Sequence, residues 1–286
     1  MKGARQLRGG QVMGRVARGV RDLVAWLASL ALLYPVLWLL AGALWPDQRP
    51  LSDWLMGGSA FRPNVANFAV VAETIPLTGF VLSSLRVVFF AVPLAVLVAS
   101  WAAFAMSRLQ PGVRRWLVAL SLAGMLVPST ALWLARFPLF RLLGWLDTPL
   151  ALIAPALIGG SPFFVLLLYT GYRRLPEEML EAAALDGASP GAAWRLVALP
   201  NVAATTGAVA LLNFLFFWSN FTDPLLYVRS VSQMTLPVGV RLLAQMDESR
   251  WPLLMAGSLV LALPPSLAFL LGQGLLRELT VNLRGG

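Results

Sequence analysis

Apolar residues along this chain fall in long runs rather than at the spacing of a half-buried helix or strand. Runs near 20 residues or longer recur at 22–45, 80–106, 116–138, 149–172, 201–227 and 252–276. A helix of about 20 apolar residues crosses the hydrocarbon core of a bilayer, and a spanning segment must satisfy its own backbone polar groups. The expected fold class is therefore all-α integral membrane, with six transmembrane helices. Pro35, Pro93, Pro155, Pro264 and Pro265 lie inside these runs. Neighbouring helices can satisfy the carbonyls that proline frees, so none of them excludes a span. The third run is interrupted by Pro128, Arg136 and Pro138, and is expected to bend or end early.

Composition agrees with this pattern. The chain has 286 residues, of which 58% are hydrophobic and only 12% charged, and its mean hydropathy is +0.75. A soluble domain carries about 25% charged residues, and a disordered one is polar. Cysteine and histidine are absent. That excludes a disulfide framework, a Cys/His metal site, a catalytic thiol and the usual general base. Lys2 is the one lysine and no GxxxxGK[ST] occurs, so no ATP-binding P-loop lies on this chain.

The net charge of +9 would suggest nucleic acid in a soluble protein. Here the arginines flank the spans, and orientation explains them without a nucleic-acid partner. With the N-terminus in the cytoplasm, the inner segments hold fourteen basic residues and the outer ones seven, with Arg86 inside the second span. Both termini are then cytoplasmic. Residues 1–21, with Lys2, Arg5, Arg8, Arg15, Arg18 and Arg21, form a basic cytoplasmic tail, and 22–286 form one six-span domain. The first run continues to Trp45, longer than the apolar core of about 7–15 residues in a signal peptide, so it reads as a retained span. The larger outer segments are 46–79 and 228–251.

One polar, small-residue segment stands between the fourth and fifth runs, at about 173–200. It contains PEEMLEAAALDGASPGAAWRLVALP from Pro176 to Pro200. Glu177 to Leu185 are strong helix formers, Pro176 suits a helix start and Gly187 a helix end. Ser189 and Pro190 then supply a second N-terminus. The segment reads as helix, sharp turn, helix, with a thin alanine profile and acceptors at Glu178, Glu181 and Asp186 for a basic partner.

The order Glu181-Ala182-Ala183, Asp186-Gly187-Ala188 and Leu199-Pro200 resembles the EAA motif of permease subunits in binding-protein-dependent ABC importers. SSLRV at 83–87, AFAMSRL at 103–109, RFPLFRLLGWLDT at 136–148, FLFFWSNFTDPLLYV at 214–228, TLPVGV at 235–240 and LPP at 263–265 extend the resemblance over most of the chain. They are similar to the carbohydrate-uptake branch, specifically its shorter maltose-permease-type subunit. The ending LTVNLRGG departs from that branch's usual tail.

The resemblance implies two permease subunits, here expected to be different chains, two cytoplasmic ATPase subunits that bind ATP and Mg, and an external solute-binding protein. No cofactor is expected on this chain. Glu181, Ala182, Ala183, Asp186, Gly187, Ala188, Leu199 and Pro200 would form the ATPase-coupling element. Glu181 would be its acidic contact, Gly187 its turn, and Ala182, Ala183 and Ala188 its points of close packing. Asp186 would hold the turn or cap the next helix.

Solute contacts are sought in the fifth span, at Asn213, Trp218, Asn220 and Asp223. Asn213 and Asn220 would share a helix face, and Trp218 would stack on a sugar ring or anchor at the lipid interface. Asp223 is an intramembrane acid with a transport role, or a helix-end residue in water. Arg86 would snorkel or pair near the outer interface. Met234, Leu236 and Val238 would be apolar contacts to the binding protein, or the loop would pack on the partner permease subunit. Other solutes in the same importer class, such as glycerol phosphate, polyamines or amino acids, share the EAA loop. A secondary transporter would need its own ion-coupling site at the membrane midplane, and no acid lies near the middle of a span.

Overall fold

The computed structural model describes residues 3–46, 63–246 and 250–284, with side chains over 21–46, 63–246 and 250–274. Much of the outer 46–79 segment, including Arg49 and Arg62, lies outside the described residues, as do Lys2 and the terminal Gly285 and Gly286. Among the described residues every regular element is helical.

Helix α1 covers Gly3–Ala43, so the basic N-terminal residues and the first apolar run share one helix, with Pro35 inside it. The elements that follow are α2 (Ala66–Thr74), α3 (Leu77–Arg108), α4 (Pro111–Met125), α5 (Ser129–Leu142) and α6 (Pro149–Ile153). After a 3-10 turn at Ala154–Ile158 come α7 (Pro162–Tyr172), α8 (Glu177–Leu185), α9 (Pro190–Asn201) and α10 (Ala203–Trp218). The chain ends with α11 (Thr222–Tyr227), α12 (Leu236–Met246) and α13 (Trp251–Arg284).

Among the described residues, four stretches are long and apolar enough to cross a membrane: Arg21–Ala43, Leu77–Arg108, Pro149–Tyr172 and Trp251–Gly274. Two bent pairs raise the number to six when each counts as one span. They are α4 with α5, bent by 92°, and α9 with α10, bent by 86°. The third expected span therefore does bend, at the residues just before and including Pro128, where the ring and the missing N–H disrupt the helical ladder. The fifth differs from expectation: its helix stops at Trp218, and Thr222–Tyr227 is a separate helix.

The chain divides into two compact units. In the smaller, formed by described residues up to Val71 and from 250 to 259, Asn67 donates to the carbonyls of Ala43 at 2.8 Å and Trp45 at 2.7 Å. The first bond satisfies one of the last carbonyls of α1, which lack helical partners, and the second holds the turn that follows the helix. In the larger unit, residues 72–246 and 260 onward, α3 is the central helix and packs against α7, α10 and α12. Ala91, Ala95, Ala99 and Ala103 recur every fourth residue on its buried face. Small residues let helix backbones approach closely in a membrane, where apolar surface alone gives no preference for protein over lipid. Leucines, valines and phenylalanines face outward over much of the remaining surface, as lipid requires.

Candidate coupling segment and solute cavity

The 176–200 segment folds as its residue types dictate. Pro176 precedes α8, and Asp186 is its C-cap. Gly187 follows at φ 82°, the left-handed conformation that costs a residue with a Cβ about 1–2 kcal/mol. The Ala188 N–H donates to Ala183 O at 2.9 Å and the Gly187 N–H to Ala184 O at 3.0 Å, which together satisfy the orphan carbonyls of the last turn. Ser189 then caps α9, its hydroxyl accepting from the Ala192 N–H at 3.3 Å. Asp186 holds the turn through its backbone rather than capping the second helix, since that cap is Ser189.

Side chains on α8 divide into two faces. Ala183 is only 8% exposed and the helix packs on residues 193–198, while Leu180 reaches the core around Tyr172 and Trp194. Ala183, expected among the small residues that admit a partner, is thus buried against its own chain. Glu178, Glu181, Ala182 and Leu185 form the opposite stripe, all exposed, and Leu185 reaches 89%. A Cβ at Gly187 would meet nothing within 4 Å. Pro200 and Asp186 are exposed, and Leu199 and Ala188 are half-buried.

Residues 193–198 form a π-turn inside α9. Such turns displace side chains from regular helical positions and recur at functional sites. This one carries Trp194, whose indole N–H donates to the Ser100 hydroxyl at 3.0 Å and the Tyr172 hydroxyl at 3.2 Å. Ser100 and Tyr172 are themselves 2.7 Å apart. A closed, buried polar cluster therefore ties α3, α7 and α9 together. Sequence reading missed it because each member looks like an isolated polar or aromatic residue in an apolar run.

A second site lies where three helices break. A cavity of 430 Å³ is lined by residues at the α4–α5 bend, at the Gly160–Ser161 junction before α7 and at the α10–α11 break. Of the expected solute contacts, it brings together Asn220 and Asp223. Asn220 donates its amide to Asp223 Oδ2 at 2.8 Å and accepts from the Asp223 N–H at 3.1 Å, fixing the break. Asn213 and Asn220 do not share a helix face, because the helix ends between them. Pro224 explains the end: its ring displaces the carbonyl of Asn220, four residues back, and it has no N–H to donate. Asn213 is fully buried behind Gly160, where a Cβ would lie 2.5 Å from its Oδ1.

Trp218 is not available for stacking on a ligand. It is buried, stacks on Phe214 at 5.7 Å and donates to Leu261 O at 2.9 Å. Asp223 is not a water-exposed helix end either; it is 4% exposed, with Arg136 at 4.0 Å. Trp133, Phe216 and Phe221 supply the aromatic lining that Trp218 does not. Arg136 was legible only as an interruption of the third run.

Leu236 and Val238 are buried within the chain and Met234 is half-buried. The Leu236 N–H donates to Ser84 Oγ at 2.9 Å, and Gly239 lies so near Phe80 that a Cβ would clash at 2.2 Å. Leu236 and Val238 are therefore packing residues and not surface contacts. Arg86 is exposed beside Phe89 and Phe90.

A multi-span helical chain with an exposed helix–turn–helix has the make-up of a transporter component. Residues 91–277 match the family described as binding-protein-dependent transport system inner membrane component, and the chain belongs to it. It is a permease subunit of a binding-protein-dependent ABC importer, integral to the inner membrane and non-catalytic. It is similar to the lactose transport system permease protein of Rhizobium radiobacter, at 24% identity over 90% of this chain and 94% of that one. It is also similar to the trehalose/maltose transport system permease protein of Thermococcus litoralis, at 26% over 87% and 90%. The diacetylchitobiose uptake system permease protein of Streptomyces coelicolor is 31% identical over 71% of this chain and 66% of its own length. Among solved structures, a bacterial ABC transporter importing the acidic polysaccharide alginate shares the fold, with TM-score 0.68 and 16% identity over 89% of this chain and 94% of that one.

Proposed function

We propose that this chain is one of two different permease subunits of a sugar importer. It lines half of the pathway and couples to cytoplasmic ATPases through residues 173–200. ATP and Mg sit on those ATPase partners, and an external binding protein delivers the sugar. The observation that carries the reading is the exposed Glu178–Glu181–Ala182–Leu185 stripe, held by a glycine turn in the EAA order. The sugar names borne by relatives aligned over most of their length support the solute class. Residues 1–21 form a basic cytoplasmic extension, both termini are cytoplasmic, and 22–286 form the permease domain.

ATP-driven closure of the ATPases moves α8, and the π-turn with its Trp194 cluster passes that movement to α3 and α7. The pathway then alternates between inward and outward access by rigid-body rocking. No covalent step falls to this chain. Affinity purification of the tagged chain from detergent extract tests the reading. A P-loop ATPase and a second, different permease chain are expected to co-purify. A lone oligomer without an ATPase, from extract in which the complex is preserved, would refute it.

A further inference from the structure

The cavity at the three helix breaks has a feature that coupling does not use. Asp223 lines it, is buried, and its Oδ1 has no hydrogen-bond partner among the described residues. Arg136 lines it too, 4.0 Å from Asp223 Oδ2, beyond hydrogen-bond distance. A buried carboxylate oxygen left unpaired is costly, and a guanidinium offers five donors in a fixed fork. The two charges balance, so the site has unfilled hydrogen-bond capacity without net charge. Trp133 and Phe216 add apolar faces beside it.

The volume, 430 Å³, lies within the range of about 300–1,000 Å³ usual for small-molecule sites. Interrupted helices are where transporters hold their solutes, since only there does backbone at membrane depth line a cavity.

We propose that this cavity is a solute subsite belonging to this subunit, taking one ring of an uncharged polyhydroxylated solute. One ring hydroxyl donates to the Asp223 carboxylate, its neighbour accepts from the Arg136 guanidinium, and Trp133 covers the apolar face of the ring. An adjacent pair of hydroxyls meets a neutral acid–arginine pair with each group satisfied. An anionic sugar would bring a charge that the pair does not compensate. The proposal rests on the sugar-import reading and extends it: the subunit itself contacts the solute and selects for neutral sugars.

The chain lacks cysteine, so Ser219→Cys places a single thiol on it, at the cavity wall. Modification by a methanethiosulfonate reagent is followed on this chain by mass spectrometry, in the whole purified complex, with lactose, trehalose, maltose or diacetylchitobiose as probe. Import of the same four sugars is measured in proteoliposomes. At ten times its Kd, a sugar that occupies the cavity slows modification about tenfold. Asp223→Asn, close to isosteric, raises the concentration needed about tenfold. Arg136→Lys, which keeps the charge but loses the fork, does so as well.

Unchanged modification without sugar, and retained co-purification of the ATPase, show that these variants are folded. Import of a probe sugar with no protection by it overturns the subsite and leaves the import reading standing. Protection undiminished in both variants does the same. Protection by an alginate oligosaccharide and by no neutral sugar overturns the neutral class. Import of none of the four sugars overturns the reading and the subsite with it.

Discussion

The indole N–H of Trp194 donates to the Ser100 hydroxyl at 3.0 Å, joining the π-turn within the 176–200 segment to the C-terminal half of the central helix. Both residues are buried, and the Tyr172 hydroxyl closes the triangle. Trp194→Phe keeps most of the packing but removes the donor, leaving Ser100 and Tyr172 paired. The expected cost is about 1 kcal/mol of stability, with a larger loss in the uptake achieved per ATP. Trp194→Ala removes the packing too and is expected to cost about 3–5 kcal/mol. Thermal unfolding of the purified complex ranks the two. Parallel uptake and ATPase assays show whether the Phe variant hydrolyses ATP without transport. Equal effects on both assays would reduce the cluster to ordinary packing.

Gly187 separates backbone geometry from docking. Its φ of 82° is open to asparagine, strained for alanine and closed to proline, while a Cβ there would meet nothing of its own chain. Gly187→Asn is expected to preserve the turn and the level of protein in the membrane. Gly187→Pro is expected to keep that level and abolish uptake, because α8 and α9 can no longer take their mutual angle. Uptake by the Pro variant at the wild-type rate would show that this angle carries no coupling.

Leu185 is the large apolar side chain at the end of the exposed α8 stripe, 89% exposed. It makes little use of its apolar surface within the chain, so Leu185→Asp should leave folding nearly unchanged, within about 0.5 kcal/mol. Recovery of the ATPase in a pull-down should nevertheless fall at least tenfold. Ala183→Trp is not an equivalent test, because Ala183 is buried against residues 193–198 and the new ring would disturb the chain's own packing. A Leu185→Asp variant that retains the ATPase fully would move the docking surface elsewhere.

The helix–turn–helix at 176–200 was legible because its punctuation is local. Pro176, Gly187, Ser189 and Pro190 each impose a backbone conformation by their own chemistry, and the structure places a helix end or start at each. The bend at Pro128 was legible for the same reason. The break after Trp218 carried a weaker sign, Pro224, whose effect falls four residues upstream amid apolar residues that read as one run. The Asp223–Arg136 pair carried none in sequence, since the two residues are 87 positions apart and meet only when the bent third span and the broken fifth span converge. Leu236 and Val238 misled for a related reason: apolar residues in a loop look available until the loop folds back as a helix on α3.

Asp147 governs the segment that follows α11. Its Oδ1 accepts from the Arg229 N–H at 2.9 Å and the Ser230 N–H at 2.8 Å, and its Oδ2 accepts from the Ser230 hydroxyl. Its own N–H donates to Tyr227 O at 2.8 Å, with Asp147 held at φ 61°. The Ser230 hydroxyl, then the backbone N–H groups of Ser230 and Arg229, hold its carboxyl below the usual carboxylate range. A depressed folded pKa stabilises fully above the unfolded value of about 4 and loses that contribution as pH falls through the folded value. The clamp should therefore be constant from pH 5 to 8, as about neutral conditions leave both states ionised, and should open only in stronger acid. Asp147→Asn removes the charge at every pH and presents at most one acceptor oxygen. Amide exchange at Arg229 and Ser230, corrected for the intrinsic rate, should be flat in the wild type over that neutral range and faster throughout in the variant. Trypsin should also cut the variant sooner after the exposed Arg229. A wild-type exchange profile that rises between pH 8 and 5 would assign the clamp to some other titrating group.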